Sequence, residues 1–208
     1  MVEKNHINTL LERYPELSAC RSAIENTVAT LLDTYQRGGK ILLCGNGGSA
    51  ADCEHISGEL LKGFLLERQP EGAELAALSF TLGEKNAMKL QRGIPAIPLT
   101  SLSAALSAFA NDASPELVYA QLTYALGKRG DTLICLSTSG NSKNAILAAK
   151  AAKALGINTV ALTGAAGGEL AVVCDITVCV PECETFKVQE LHLPVYHAIC
   201  AEVERVLF

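Results

Sequence analysis

His55 and Glu59 stand four residues apart in a stretch of helical periodicity, which puts an imidazole and a carboxylate on one helix face. Such a pair can ligate a metal, carry a proton, or simply hydrogen-bond at the surface. Far along the chain, Gln189, His192 and His197 punctuate an apolar helical pattern of Leu191, Leu193, Val195, Ile199 and Val203. At about 100° per residue, Gln189 and His197 fall roughly 80° apart on the helix wheel, so one site can recruit both. Taken singly, each histidine reads equally well as a partly buried residue with a hydrogen-bond partner.

Two polar loops are spaced to hold an anion. Cys44-Gly45-Asn46-Gly47-Gly48-Ser49 follows a strand-like run and precedes a helical one. Its glycines let the chain turn sharply and bring backbone N–H groups to the positive end of a helix. The spacing is neither the G-x-G-x-x-G of dinucleotide folds nor the G-K-[ST] ending of a P-loop, which disfavours nucleotides. Ser137-Thr138-Ser139-Gly140-Asn141-Ser142 repeats the plan with four hydroxyls. A dense neutral set of donors suits a phosphate monoester held without a cationic pocket. Either loop alone is also an ordinary tight turn. Asn111-Asp112 is a third polar pair, by itself only a turn signal.

The elements that must position these residues are those of an α/β domain. Short apolar runs at Lys40–Cys44, Ile94–Leu99, Thr132–Ser137, Asn158–Thr163 and Ile176–Val180 predict strands. Helical patterns fill the gaps at Ser49–Leu65, Pro115–Lys128, Ser142–Leu155 and Thr185–Val206. Ser49, Ser142 and Ser114-Pro115 are suitable helix starts, and Gly156 is a suitable stop. Ahead of them, residues 8–37 form an amphipathic arm that Pro15 splits in two. It can pack on its own core or on another subunit. The stretch from Leu66 to Gly93 has no clear pattern beyond a turn at Gln69–Gly72 and a short helix at Glu84–Leu90. Both polar loops leave the C-terminal ends of strands, where open α/β sheets bind ligands.

Composition narrows the function classes. With 49% apolar and 19% charged residues, the chain has the makings of one substantial core. A net charge of −5 lacks the basic face that nucleic acid requires. No apolar run reaches membrane-spanning length, and the first ten residues hold no signal-peptide core, so a cytoplasmic protein is expected. The eight cysteines include no C-x-x-C pair and mostly sit in apolar runs, which predicts free thiols.

Taken together, the order G-N-G-G-S, H-x-x-x-E, N-D, S-T-S-G-N-S, L-T-G and Q-E-x-H-x(4)-H resembles the phosphoheptose isomerases of the SIS-domain superfamily, from about Gly39 to Phe208. The resemblance implies a flavodoxin-like three-layer αβα domain with a five-stranded parallel sheet over residues 39–208. It implies an N-terminal helical arm over 1–38 serving oligomerisation, and a homotetramer with sites at subunit interfaces. By the same resemblance Asn46, Gly47, Gly48 and Ser49 line the sugar phosphate, and Ser137, Thr138, Ser139 and Ser142 hold its phosphate. Asn111 and Asp112 contact sugar hydroxyls, and Gln189 also touches substrate. His55, Glu59, Gln189 and His197 match a zinc set, one ion per subunit, and Glu59 and His197 match the acid/base pair. The implied reaction converts sedoheptulose 7-phosphate, a ketose, into the aldose D-glycero-D-manno-heptose 7-phosphate through an enediol.

Three departures bear on the substrate. Leu60-Leu61-Lys62-Gly63-Phe64 stands where family members often carry a glycine-arginine pair, so Gly63 replaces the arginine and Lys62 is the nearest cation. The connection from Phe64 to Ile94 is roughly twenty residues longer than usual. Lys187 replaces another frequent arginine and lacks its bidentate fork. Rival readings are an isomerase for another phosphosugar, a sugar-phosphate sensor, and a scaffold like the SIS protein that associates with the replication initiator. Such scaffolds lack the glutamate and the final histidine that this chain retains.

Overall fold

The computed structural model describes residues 5–208. Five strands, β1 (Ile41–Gly45), β2 (Ala96–Pro98), β3 (Thr132–Leu136), β4 (Asn158–Thr163) and β5 (Ile176–Cys179), form one parallel sheet in the order β2-β1-β3-β4-β5. This is the flavodoxin-like order expected from the resemblance. The inner strands β1 and β3 read as almost wholly apolar runs and are buried throughout, because both sheet faces are covered there. Alternate residues part to the two sides: Ile41, Leu43, Ile134 and Leu136 enter one core, while Leu42, Cys44, Leu133 and Cys135 enter the other. The edge strand β2 spans only three residues and carries Pro98, a residue that edges tolerate.

On the first face lie α1 (His6–Arg13), α2 (Arg21–Gln36), α3 (Gly48–Leu61) and α10 (Thr185–Leu207). The second face is covered by α7 (Val118–Leu126) and α8 (Lys143–Ala154), with α6 (Ser103–Asp112) at its margin. A stripe of buried alanines on α8 (Ala145, Ala148, Ala149 and Ala152) lets that helix lie close to the sheet. Pro15 does split the N-terminal arm, opening a 3-10 turn over Pro15–Cys20. The arm joins its own core: Leu17, Ile24 and Leu31 are fully buried against the elements of the first face. Each such side chain contributes about 1.5–3 kcal/mol.

The helix after the first loop ends at Leu61 rather than at the expected Leu65. The backbone N–H groups of Phe64, Leu65 and Leu66 donate instead to the Glu204 carboxylate, at 2.8, 2.7 and 3.2 Å. The stretch from Leu66 to Gly93 holds the expected short helix, shortened to α5 (Glu84–Ala87), while α4 (Gly72–Leu82) before it and α9 (Gly168–Val173) were not foreseen. α4 gave no periodic signal because it is apolar all round and buries none of its residues; Phe80 is 94% exposed. All eight cysteines are free thiols, as expected.

Candidate active site

The sheet order reverses between β1 and β3, and Gly45 pairs in register with Leu136. The two polar loops therefore leave the sheet side by side. Between them lies a cavity of about 300 Å³ lined by Asn46, Gly47, Gly48, Ser49, Leu136, Ser137, Thr138, Ser142, Thr185 and Gln189. No lysine or arginine lines it. Gly47 adopts φ +56°, ψ −124°, a conformation that only glycine takes readily. A Cβ at Gly48 would lie 2.5 Å from Gln189 Nε2, so the glutamine amide rests directly on that glycine.

Of the residues expected at the phosphate, seven line this cavity and one does not. Ser139 is exposed, its hydroxyl accepting from the Asn141 N–H at 3.2 Å. Asn111 and Asp112 sit at the end of α6, with Asn111 Nδ2 donating to Asp112 Oδ1 at 2.8 Å, outside the cavity lining. Ser49, expected to cap α3, lies inside the helix and is buried; Gly47 occupies the cap position.

The same two helices, α3 and α10, carry the titratable cluster. His55 Nε2 lies 3.2 Å from Glu59 Oε1 and 3.3 Å from His197 Nε2. Lys62 Nζ donates to the other carboxylate oxygen of Glu59 at 3.0 Å. On its far side, His55 Nδ1 meets the Tyr196 hydroxyl at 3.0 Å, and that hydroxyl donates to Asp52 Oδ1 at 3.2 Å. The proton inventory follows from this chain. Because the Tyr196 hydroxyl donates its only proton to Asp52, His55 Nδ1–H must donate to the phenol oxygen, and the Nε2 lone pair faces Glu59 and His197. Burial, and then the neighbouring His55, push the His197 pKa down against the opposing pull of Glu59, so its imidazole is neutral near pH 7. Burial likewise raises Asp52, against its hydrogen bond from Tyr196 and the proximity of His55.

With its proton on Nδ1, His55 offers its Nε2 lone pair, which can accept from a His197 Nε2–H, while the Glu59 contact needs a further proton or a cation. Imidazole nitrogens and a carboxylate oxygen are donors that zinc takes. The donor types thus fit zinc. Among the described residues, however, no group of three or more His, Cys, Asp or Glu side chains is arranged to hold a metal ion. His55 instead contacts both Glu59 and His197 directly. Gln189, expected as the fourth ligand, has its amide against Gly48 in the cavity. His192, also singled out by spacing, is wholly buried, bonded through Nε2 to the Thr163 carbonyl at 3.3 Å and outside the cavity lining.

Residues that pattern reading passed over complete the site. Asp52 shares the face of His55 and Glu59 at i, i+3 and i+7, a spacing legible in the sequence. Tyr196 adjoins His197 in sequence, and Thr185 opens α10 at the cavity. The Phe64 ring stands 5.5 Å from the His197 ring, beside a groove of about 330 Å³ between α1 and α10.

A parallel sheet with neutral serine- and glycine-rich loops at its switch point defines a SIS-type sugar-phosphate domain, and the SIS domain family matches residues 5–92 and 86–164. The chain belongs, within that class, to the phosphoheptose isomerase family. It is 42% identical over 178 residues to the phosphoheptose isomerase of Roseiflexus sp., covering 86% of this chain and 79% of that one. To that of Nitratidesulfovibrio vulgaris it is 40% identical, covering 96% and 84%. The solved phosphoheptose isomerase of Francisella tularensis superposes with a TM-score of 0.75 at 28% identity, over 95% of each chain. That of Neisseria gonorrhoeae gives 0.70 at 30% identity, over 94% of this chain and 98% of the other. Among the described residues, no helix is long and apolar enough to cross a membrane.

Proposed function

We propose that this chain interconverts D-sedoheptulose 7-phosphate and D-glycero-D-manno-heptose 7-phosphate, with the phosphate in the cavity between the two loops. The observation that carries the reading is that α3 and α10 each serve both halves of the site. Ser49 and Gln189 line the anion cavity, while Glu59 and His197 stand further along the same helices. Gln189 and His197 are about 12 Å apart along α10 at helical rise, a span that an extended sugar phosphate of seven carbons can bridge.

In the open-chain ketose, the proton at C1 is acidified by the C2 carbonyl. Glu59 removes it, the C1–H electron pair becomes the C1–C2 double bond, and O2 takes a proton from His197. Return of a proton from Glu59 to C2, with loss of the O1 proton to His197, gives the aldose. No net oxidation occurs. As the site stands, both Glu59 oxygens are engaged, one by His55 and one by Lys62. Lys62 is the more exposed partner and the one free to turn from the carboxylate to the substrate, where it replaces the missing family arginine. Zinc held by His55, Glu59 and His197 would polarise the carbonyl and stabilise the developing oxyanion.

The reading extends to the sugar-hydroxyl contacts of Asn111 and Asp112, to the oligomerising role of residues 1–38, to a homotetramer, and to the cytoplasm as its compartment. Exposed Leu61, Leu65, Leu66 and Phe80 form apolar surface of the kind that assembly covers. The test is to incubate the protein with sedoheptulose 7-phosphate, with and without zinc, and follow aldose formation by NMR. Turnover is expected, reduced about 10²–10⁴-fold by Glu59→Gln and by His197→Ala. Thermal stabilisation by the sugar phosphate without turnover would identify a sensor and overturn the isomerase.

A further inference from the structure

Ser142 is the N-cap of α8, with extended backbone at φ −66° and ψ 110°, yet its hydroxyl makes no capping bond. Serine at such a position ordinarily accepts from the N–H two or three residues on. Here the Ala145 N–H donates instead to Asn144 Oδ1 at 3.0 Å. Ser142 Oγ is thereby released to Ser137 Oγ, 2.8 Å away, and both hydroxyls line the anion cavity. Asn144 makes a second attachment. Its amide pairs reciprocally with that of Asn46, Asn46 Nδ2 to Asn144 Oδ1 and Asn144 Nδ2 to Asn46 Oδ1, each at 2.9 Å. The Ala145 N–H fixes which end of the Asn144 amide is the carbonyl, and so fixes the polarity of the whole pair. Asn144 itself does not line the cavity.

We propose that Asn144 is a positioning residue for the phosphate subsite. It takes over the capping bond of α8 so that the Ser142 hydroxyl faces the ligand, and it ties the Asn46 loop to the Ser137–Ser142 loop at fixed spacing. A consequence is that the Asn46 side chain serves loop closure, and that its loop meets the ligand through backbone groups. The inference rests on the sugar-phosphate reading of the cavity. It explains why a second polar residue stands two positions into a helix that already starts with a good capping serine.

The test is a cycle of Asn144→Ala, Ser142→Ala and the double variant. Sedoheptulose 7-phosphate and inorganic phosphate are titrated calorimetrically, and Tm is measured in parallel. Asn144→Ala should weaken both titrants roughly tenfold or more, with the kinetic loss in KM rather than kcat, while Tm stays near wild type because Ser142 swings back to cap α8. Ser142→Ala alone should weaken binding and leave Tm unchanged. In the Asn144→Ala background it should cost no further binding but lower Tm by roughly 2–4 °C, the value of a lost cap. Wild-type binding by Asn144→Ala, or Ser142→Ala effects identical in both backgrounds, would overturn the proposal. If the wild-type chain binds inorganic phosphate but not the sugar phosphate, the heptose reading fails while the phosphate arm still decides this one. Binding of neither overturns both.

Discussion

Glu204 is the most heavily bonded side chain near the site, and its removal tests whether long-range polar anchoring shapes the loop that carries Phe64. Its carboxylate accepts from three consecutive backbone N–H groups, at Phe64, Leu65 and Leu66, and from Arg68 Nε at 2.7 Å. Both side chains of the ion pair are buried, at 0% and 1% exposure. Arg68 has other partners in the carbonyls of Leu60 and Glu59, at 2.8 and 3.1 Å. Glu204→Ala strands a buried guanidinium and three amide hydrogens, a loss of about 3–5 kcal/mol, or roughly 10 °C in Tm for a chain of this size. Glu204→Gln should cost less, because the amide oxygen still accepts from the backbone. Arg68→Met should also cost less than the alanine variant, since Glu204 keeps its three N–H donors. Burial pushes the Glu204 pKa up, but the backbone donors and Arg68 outweigh it and hold the carboxyl below its ordinary value of 4.5. Its contribution is therefore complete above pH 4.5 and disappears as pH falls through the lower folded value, so wild type and Glu204→Gln should converge in acid. Urea melts at fixed protein concentration, from pH 7 to pH 3, read these quantities. A loss below about 1 kcal/mol for Glu204→Ala, or Arg68→Met as the worse variant, would refute the reasoning.

Two further predictions follow from buried and close-packed residues. His192 is fully buried and its pKa is pushed down to about 4, chiefly by burial against the hydrogen bond to Thr163. The unfolded chain then binds the proton more readily, so stability is unaffected above pH 6.5 and falls by about 3 kcal/mol as pH drops toward 4. His192→Gln, which keeps a donor for the Thr163 carbonyl, should lack that part of the urea-midpoint decline; an unchanged pH profile would sink the assignment. Gly48→Ala should push the Gln189 amide out of the cavity while leaving the fold intact, since the atom 2.5 Å from the new methyl is the end of a flexible side chain. Sugar-phosphate binding weakened by about tenfold at near-constant Tm is expected by calorimetry. A collapse in Tm, or unchanged binding, would contradict it.

The uneven success of sequence reading has a physical pattern. Strands β1, β3, β4 and β5 were evident because a doubly covered parallel sheet writes itself as contiguous apolar runs, and the loops after β1 and β3 were evident because glycines and hydroxyls cluster locally. His55 and Glu59 were readable as a pair because helical geometry fixes i, i+4. What could not be read were bonds closed by distant residues. α3 stops short because Glu204, 140 positions on from Phe64, captures the amides that would have continued it. α4 carries no period because none of its faces is buried by this chain. The same argument bears on the site. Ser142 looks from sequence like a plain helix cap, and only Asn144 and Asn46, 98 residues apart, reveal that its hydroxyl has been reassigned to the cavity. A motif can therefore locate an anion site while misstating which of its members touches the anion. Side chains that free others for contact are invisible to spacing, and they are where relatives with the same loop letters can differ in affinity.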